Sequence, residues 1–411
     1  MSGVTGIVWV GPVYDRGGYG TVARNYLVGL AEIGYPVRVV NIGPEHTEID
    51  PRARRLITGM EGASAGRLPV VVAHGTPDLH REIMAWGAAR RVVMTLFETD
   101  GLPAGWAEGC NQFDEVWVPS RFNKDTFARA GVDPAKLWVV PYAIDTEVFR
   151  AEPRAPRPAD RPFEFLYVFS FGWRKGFDVL LKAFLSEFRR GEARLVLRCF
   201  SEGYQGVSRE EVAETLLASA GDELTTGEDR PEVEISVDAM STEGLIELYR
   251  SCDLYISTDR GNGWGYPNME AMALGVPSAA IDWGGGVEFM TEDNSYLLHT
   301  DDELEPVDAR LAAAVPQLYG GQRWRKLRVD EVRRVMRQAV ADPDLLAGRA
   351  QRGCADVHRD FNSAVVAQRI VDHVSAIEPG RGPRLRAALG VPPVTGRKPS
   401  RETLAQLVRR R

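Results

Sequence analysis

Short apolar runs punctuate the chain, and amphipathic stretches of helical period separate them. Residues 6–10 (Gly-Ile-Val-Trp-Val) are followed by a glycine-rich turn, an amphipathic segment over 21–33 and a second run at 37–41. That succession predicts strand, loop, helix, strand. Further runs at 68–73, 91–96, 115–118 and 137–140 alternate with helical segments, as expected of a parallel sheet buried on both faces. At 151–162 the pattern breaks: Ala-Glu-Pro-Arg-Ala-Pro-Arg-Pro-Ala-Asp-Arg-Pro holds four prolines and reads as a semi-rigid linker. A second alternation then begins. Runs at 163–169, 194–199, 233–237, 253–257 and 278–282 predict its strands, with a helix near 178–188.

The predicted fold is therefore α/β, with two doubly wound, Rossmann-like domains facing a central cleft, where such sheets bind ligands at their carboxyl ends. The expected boundaries are 1–155 for the first domain and 160–345 for the second. Residues 346–380 are expected to form helices that cross back to the first domain, and 381–411 a basic tail. A length of 411 residues suits two or more domains.

Composition removes several function classes. Apolar residues are 44% and charged residues 26%, the balance of a soluble globular chain. No run is long and apolar enough to span a bilayer and the first residues lack a secretory pattern, so a cytoplasmic location is expected. The four cysteines, Cys110, Cys199, Cys252 and Cys354, are too far apart for a Cys-x-x-Cys pair. A net charge of −7 disfavours nucleic acid as a partner. The tail differs: residues 381–411 hold nine basic residues against one acid, Glu402. Either it is a solvated extension, or it makes peripheral contact with an acidic membrane surface. Oligomeric state is not legible.

Candidate chemistry lies at predicted strand ends. Gly17, Gly18 and Gly20 follow the first strand and precede a helix with Thr21 as a partial cap, so bare N–H groups and a helix dipole face a phosphate, or else the glycines simply make a turn. The run 261–277 (Gly-Asn-Gly-Trp-Gly-Tyr-Pro-Asn-Met-Glu-Ala-Met-Ala-Leu-Gly-Val-Pro) opens with glycines and starts a short helix whose dipole suits a diphosphate. Glu270 in that helix either accepts hydrogen bonds from a ribose diol or caps the helix.

On that run the chain resembles the retaining GT-B glycosyltransferases of the large family that includes sucrose-phosphate synthases and bacterial mannosyltransferases. Four further stretches agree in order: 116–123 (Val-Trp-Val-Pro-Ser-Arg-Phe-Asn), 139–145 (Val-Val-Pro-Tyr-Ala-Ile-Asp), 175–184 (Lys-Gly-Phe-Asp-Val-Leu-Leu-Lys-Ala-Phe) and 282–288 (Asp-Trp-Gly-Gly-Gly-Val-Glu). The resemblance covers roughly residues 6–375. It implies transfer of a hexose-type sugar from a nucleoside diphosphate sugar, UDP-linked by expectation, to an acceptor that is a carbohydrate, lipid or small molecule. No cofactor and no metal are implied, cations from side chains meeting the leaving diphosphate.

The resemblance also assigns roles. Glu270 holds the ribose, while Lys175 and Arg174 face the diphosphate. Gly18, Gly263, Trp264, Gly265 and Tyr266 lie against the donor, and Asp238 and Met240 near its base. Glu98, where many members carry histidine, either orients the acceptor or pairs with a surface arginine. His74 is an acceptor-side candidate or a buried structural group.

Two departures matter. The family's first glutamate is replaced by Asn262, which can bond a sugar hydroxyl but cannot stabilise positive charge. An unusual donor sugar, a weakened or inactive homologue, and a deliberate substitution all account for it. The family's arginine five positions before the lysine is replaced by Ser170, with Arg174 adjacent to Lys175 instead. An inverting transferase or an epimerase on the same plan, and a catalytically silent nucleotide-sugar-binding homologue, remain rivals.

Overall fold

The structure is a computed structural model and describes residues 5–46, 49–77, 83–84, 86–154, 157–158, 160–200, 208–221, 229–237 and 240–377. The first lobe is a parallel sheet of β1 (Ile7–Gly11), β2 (Val37–Asn41), β3 (Val70–His74), β4 (Arg90–Met94), β5 (Glu115–Val118) and β6 (Leu137–Val139), in the order β2-β1-β3-β4-β5-β6. Helices α1 (Gly18–Glu32), α2 (Pro51–Glu61), α3 (Trp106–Asn111) and α4 (Arg121–Arg129) cover it. Every residue of β1 and β3 is buried, which is why these strands read as continuous apolar runs and not as alternations. Asp50 caps α2 and Ser120 caps α4, each accepting from a backbone N–H of the first turn, which satisfies donors a helix start leaves orphaned.

The second lobe repeats the plan. Its strands are β7 (Phe163–Ser170), β8 (Ala193–Phe200), β9 (Glu232–Ser236), β10 (Leu254–Ile256), β11 (Ser278–Ile281) and β12 (Tyr296–Leu298), parallel in the order β12-β11-β10-β7-β8-β9. The helices that follow β7 to β10 in turn are α5 (Phe177–Glu187), α6 (Arg209–Ala218), α7 (Thr242–Ser251) and α8 (Tyr266–Ala273). The proline-rich linker is pinned to this lobe: Arg161 pairs with Asp253 at 2.6 Å, and Arg154 donates to the Cys252 carbonyl.

Between β12 and the last helices the chain makes an excursion that sequence reasoning did not anticipate. A hairpin of β13 (Leu304–Pro306) and β14 (Arg323–Arg325) encloses α9 (Ala309–Ala314) and α10 (Pro316–Tyr319). Its Val307, Leu311, Tyr319 and Trp324 belong to the same buried cluster as Val8, Phe97, Trp106 and Phe113 of the first lobe. The Asp100 N–H donates to the Arg323 carbonyl at 3.0 Å, and the Arg323 N–H donates back to the Asp100 carboxylate at 2.8 Å.

The last helices divide between the lobes. Both α11 (Val329–Ala341) and α12 (Pro343–Asp360) stay on the second lobe, packed on α5 and α8 respectively. Only α13 (Ser363–Ser375) crosses, to lie along α1. The crossing expected from 346 thus comes near 361, where Ile144 and Phe361 share a 2.9 Å backbone bond. At Gly29 a Cβ would stand 2.0 Å from the Ser363 carbonyl, so glycine is what allows α13 so near. The basic tail, 381–411, lies outside the described residues. Among the described residues, no helix is long and apolar enough to cross a membrane.

Candidate functional site

Both sheets turn their carboxyl ends toward the junction of the lobes, and the loops leaving those ends carry the chemistry. After β7 the chain makes a tight turn, Trp173–Lys175, before Gly176 opens α5 with φ +61°. At Gly176 a Cβ would stand 2.1 Å from the Thr258 carbonyl, so only glycine fits the turn that presents the two cations. Arg260 braces it, donating twice to the Asp178 carboxylate at 2.8 Å and once to the Trp173 carbonyl at 2.9 Å.

Both cations are half-buried and already partnered. Lys175 Nζ lies 3.0 Å from Asp259 Oδ2, and the Tyr167 hydroxyl donates to the other oxygen of the same carboxylate. Burial pulls the Lys175 ammonium below its usual range, and Asp259 opposes that shift. Arg174 donates to the Gly261 carbonyl at 2.6 Å, while its Nε lies 3.4 Å from Glu98 Oε1 of the first lobe. Burial, the largest single influence, would lower the guanidinium, but the charge of Glu98, with added contributions from Tyr319, Asp259 and Tyr167, outweighs it, so Arg174 is held more firmly protonated than usual. Glu98 also accepts from the Tyr319 hydroxyl at 3.2 Å. Glu98 therefore pairs with an arginine, and with one inside the junction, not on the surface.

The glycine loop 261–265 is packed from two sides. A Cβ at Gly261 would meet the Glu98 carbonyl at 2.6 Å, and one at Gly263 the Leu96 side chain at 2.3 Å. Beneath, the Gly285 N–H donates to the Asn262 carbonyl at 2.7 Å. The Asn262 side chain accepts from the Trp264 N–H at 3.1 Å, an Asx turn that fixes it beside the glycines.

Glu270 sits on α8, whose cap is Gly265 with φ +93° and no side-chain capping bond. Its carboxylate accepts from the buried Tyr249 hydroxyl at 2.8 Å, so it does not cap the helix. Burial raises its pKa to about 7 against the pull of that hydrogen bond. Asn268 ties α8 to β11 through Ser278 and the Ala279 carbonyl.

Several expected donor contacts serve the framework instead. The Trp264 ring is 2% exposed and packs among Tyr142, Phe289 and Phe361. The Tyr266 hydroxyl is held by Asn25 and the Ala143 carbonyl. Both rings therefore fasten the loop to the lobe junction, because large aromatic surfaces gain more from burial there than from facing water. Met240 is exposed just before α7, and Asp238 lies outside the described residues.

In the first lobe, α1 begins at Gly18 with Gly17 as its cap, and Thr21 bonds Arg24 instead of capping. Gly18 faces open space, whereas a Cβ at Gly20 would stand 2.1 Å from the Asp15 carbonyl. Arg24 holds the loop through the Val13 and Asp15 carbonyls. His74 ends β3 fully buried, edge-on to Trp9 and Tyr19 at 5.3 Å each, and so reads as a structural group.

Asp259, Tyr167, Tyr249 and Tyr319 went unnoticed in the sequence. Only Asp259 had a signal, a carboxylate just after a strand end and two positions before the glycine loop. The three tyrosines reach the site from separate elements.

Residues 162–319 match the sequence model of the family described as Glycosyl transferases group 1. The matched stretch lies in the second lobe, holds Lys175, Arg174, Asn262 and Glu270, and ends at Tyr319, which touches Glu98. A lipopolysaccharide core biosynthesis mannosyltransferase, LpsB of Rhizobium meliloti, is 39% identical over 69 residues. Those residues are 16% of this chain and 20% of that protein, so the match spans about a fifth of the relative's length.

Two solved structures resemble the whole arrangement. HepE of Anabaena, in complex with UDP and glucose, superposes with a TM-score of 0.59 at 14% identity, over 90% of this chain and 99% of that one. A sucrose-phosphate synthase of Thermosynechococcus elongatus does so with 0.60 at 16%, over 90% and 98%. Together with the two six-stranded parallel sheets, these likenesses give the fold as GT-B, paired Rossmann-like domains around a cleft.

Proposed function

We propose that this protein is a retaining glycosyltransferase that moves a hexose-type sugar from a nucleoside diphosphate sugar, UDP-linked, to an acceptor hydroxyl. The observation that carries the reading is the gathering of Lys175, Arg174 and Glu270 around the glycine loop, at the carboxyl end of the second lobe's sheet. As the bond from the sugar to the diphosphate breaks, negative charge grows on the departing phosphate oxygen. Fixed, half-buried cations stabilise that charge, typically by about 3 kcal/mol for one preorganised group. The diphosphate competes with Glu98 for Arg174 and with Asp259 for Lys175, so donor binding exchanges internal ion pairs for external ones. Glu270 accepts from the ribose hydroxyls. The acceptor oxygen attacks from the face the nucleotide leaves, and its proton passes to the leaving phosphate, which balances the transfer without a protein nucleophile.

Incubation with UDP-sugars, followed by assay of free UDP and by NMR of the product anomer, tests this. Release of UDP with retained configuration is expected. Failure of any nucleotide diphosphate to bind or turn over ends the enzyme reading, and an inverted product ends the retaining one. A silent binding homologue is the second reading, favoured by Asn262, whose oxygen is already engaged by the Trp264 N–H. Asn262→Glu separates the two: a large gain in turnover marks Asn262 as a lesion, whereas a loss or change of donor marks it as specificity.

A further inference from the structure

At the edge of the first-lobe sheet, where β6 ends, a cavity of about 490 Å3 opens between the lobes. Trp138 and His373 of α13 line it, their rings stacked face to face with centroids 3.6 Å apart and 15° between planes. Glu115 fixes that imidazole through a 2.8 Å bond, and the same carboxylate accepts from Trp117 Nε1 at 2.9 Å. The rim carries Arg121 from the start of α4, Glu288 from the second lobe, and Arg369 and Asp372 from α13.

Two guanidinium groups and two carboxylates cancel, so the rim selects for neither an anion nor a cation. It does offer donors and acceptors side by side around a stacked pair of aromatic rings. A neutral sugar ring needs that combination: its C–H face covers the aromatic surface, while its hydroxyls donate to carboxylates and accept from guanidinium N–H groups. The volume falls in the range of small-molecule sites, about 300 to 1,000 Å3. We propose that this cavity binds a neutral saccharide of one or two units, at a site separate from the nucleotide-sugar cleft.

The place of the cavity gives such binding a consequence. Arg121 and Glu288 join the lobes across the rim at 3.5 Å, and the Arg121 N–H donates to the same carboxylate at 2.9 Å. A seated sugar therefore touches both lobes. The lining also continues through Val140 and Pro141 to Tyr142, which packs on Trp264 of the glycine loop at 5.5 Å. Combined with the transfer reaction proposed above, the site holds a sugar unit of an acceptor chain away from the reacting hydroxyl.

The test titrates the full-length protein with glucose, mannose, maltose and lactose by saturation-transfer NMR and calorimetry. Inorganic phosphate serves as the charged probe, and UDP binding is read on the same samples. At least one neutral sugar is expected to bind. Asp372→Ala and Arg369→Ala, both at exposed positions of α13, should each weaken it about tenfold, a change of about 1.4 kcal/mol, with UDP binding unaltered. Glu270→Gln should leave sugar binding as it was. Absence of binding by all four sugars overturns the proposal, as does binding that survives both α13 substitutions, or phosphate taking the site in preference to sugar. Sugar binding without UDP binding supports this site while counting against the donor reading.

Discussion

Glu270 shows how much one buried carboxylate can set. Its ordinary pKa of 4.5 is raised to about 7 by burial, so the folded protein holds a proton that the unfolded chain releases between those values. Folding stability should therefore fall as pH rises from 4.5 to 7 and level off above, by up to about 3 kcal/mol from this residue. Urea midpoints at pH 5 and 7.5 measure it, and Glu270→Gln should flatten the dependence; an unchanged slope in that variant refutes the assignment. Nucleotide binding should run the other way, strengthening through pH 7 as the carboxylate ionises to accept ribose hydroxyls. Lys175 poses a different problem, since Lys175→Ala strands a buried Asp259, at a cost of about 3 to 5 kcal/mol. Adding Asp259→Asn should recover most of the stability in chemical denaturation and none of the UDP release. Recovery of turnover by the double variant would make Lys175 structural only.

Among the elements, the turns before α5 and α8 do the positioning, and their glycines are not equivalent. Gly176→Ala places a methyl 2.1 Å from a backbone carbonyl at positive φ, so the turn must shift, with an expected loss of about 2 kcal/mol or more and of UDP affinity. Gly18→Ala meets open space in the first turn of α1 and should change stability by no more than about 0.5 kcal/mol. Melting temperatures of the two variants against wild type decide this, and equal effects would show that the close approach at Gly176 is relieved elsewhere. The strands and most helices were legible in the chain because a parallel sheet buried on both faces needs unbroken apolar runs. The start of α1 was misplaced by three residues because Thr21 looks like a cap, yet the chain is already helical from Gly18.

For the molecule as a whole, the excursion at β13 to β14 matters most. Trp324, 1% exposed, sits in the first-lobe core although the chain before and after the excursion belongs to the second lobe. The lobes are thus stitched by this excursion and by α13, in addition to the contacts of the glycine loop and of Arg174 and Glu288 with the first lobe, and should unfold together. Wild-type calorimetry is expected to give one transition. Trp324→Ala, which empties a large buried volume at about 3 to 5 kcal/mol, should split it into two. A single transition in the variant would show that α13 and the other contacts between the lobes couple them without Trp324.

The sequence by itself determined two Rossmann-like units, the break at the prolines, and the cations, glutamate and glycines that lie at strand ends, because periodicity and turn chemistry are local properties of the chain. Tertiary structure alone decided that Glu98 faces Arg174, that Asp259 and Tyr167 hold Lys175, that Tyr249 holds Glu270, and that Trp264 and Tyr266 are fasteners between lobes. Apart from Tyr167 and Lys175, those facts join residues tens to hundreds of positions apart. Some pairs are chosen by how the second-lobe loops pack on one another and others by how the two lobes approach, and no local pattern of residues encodes either.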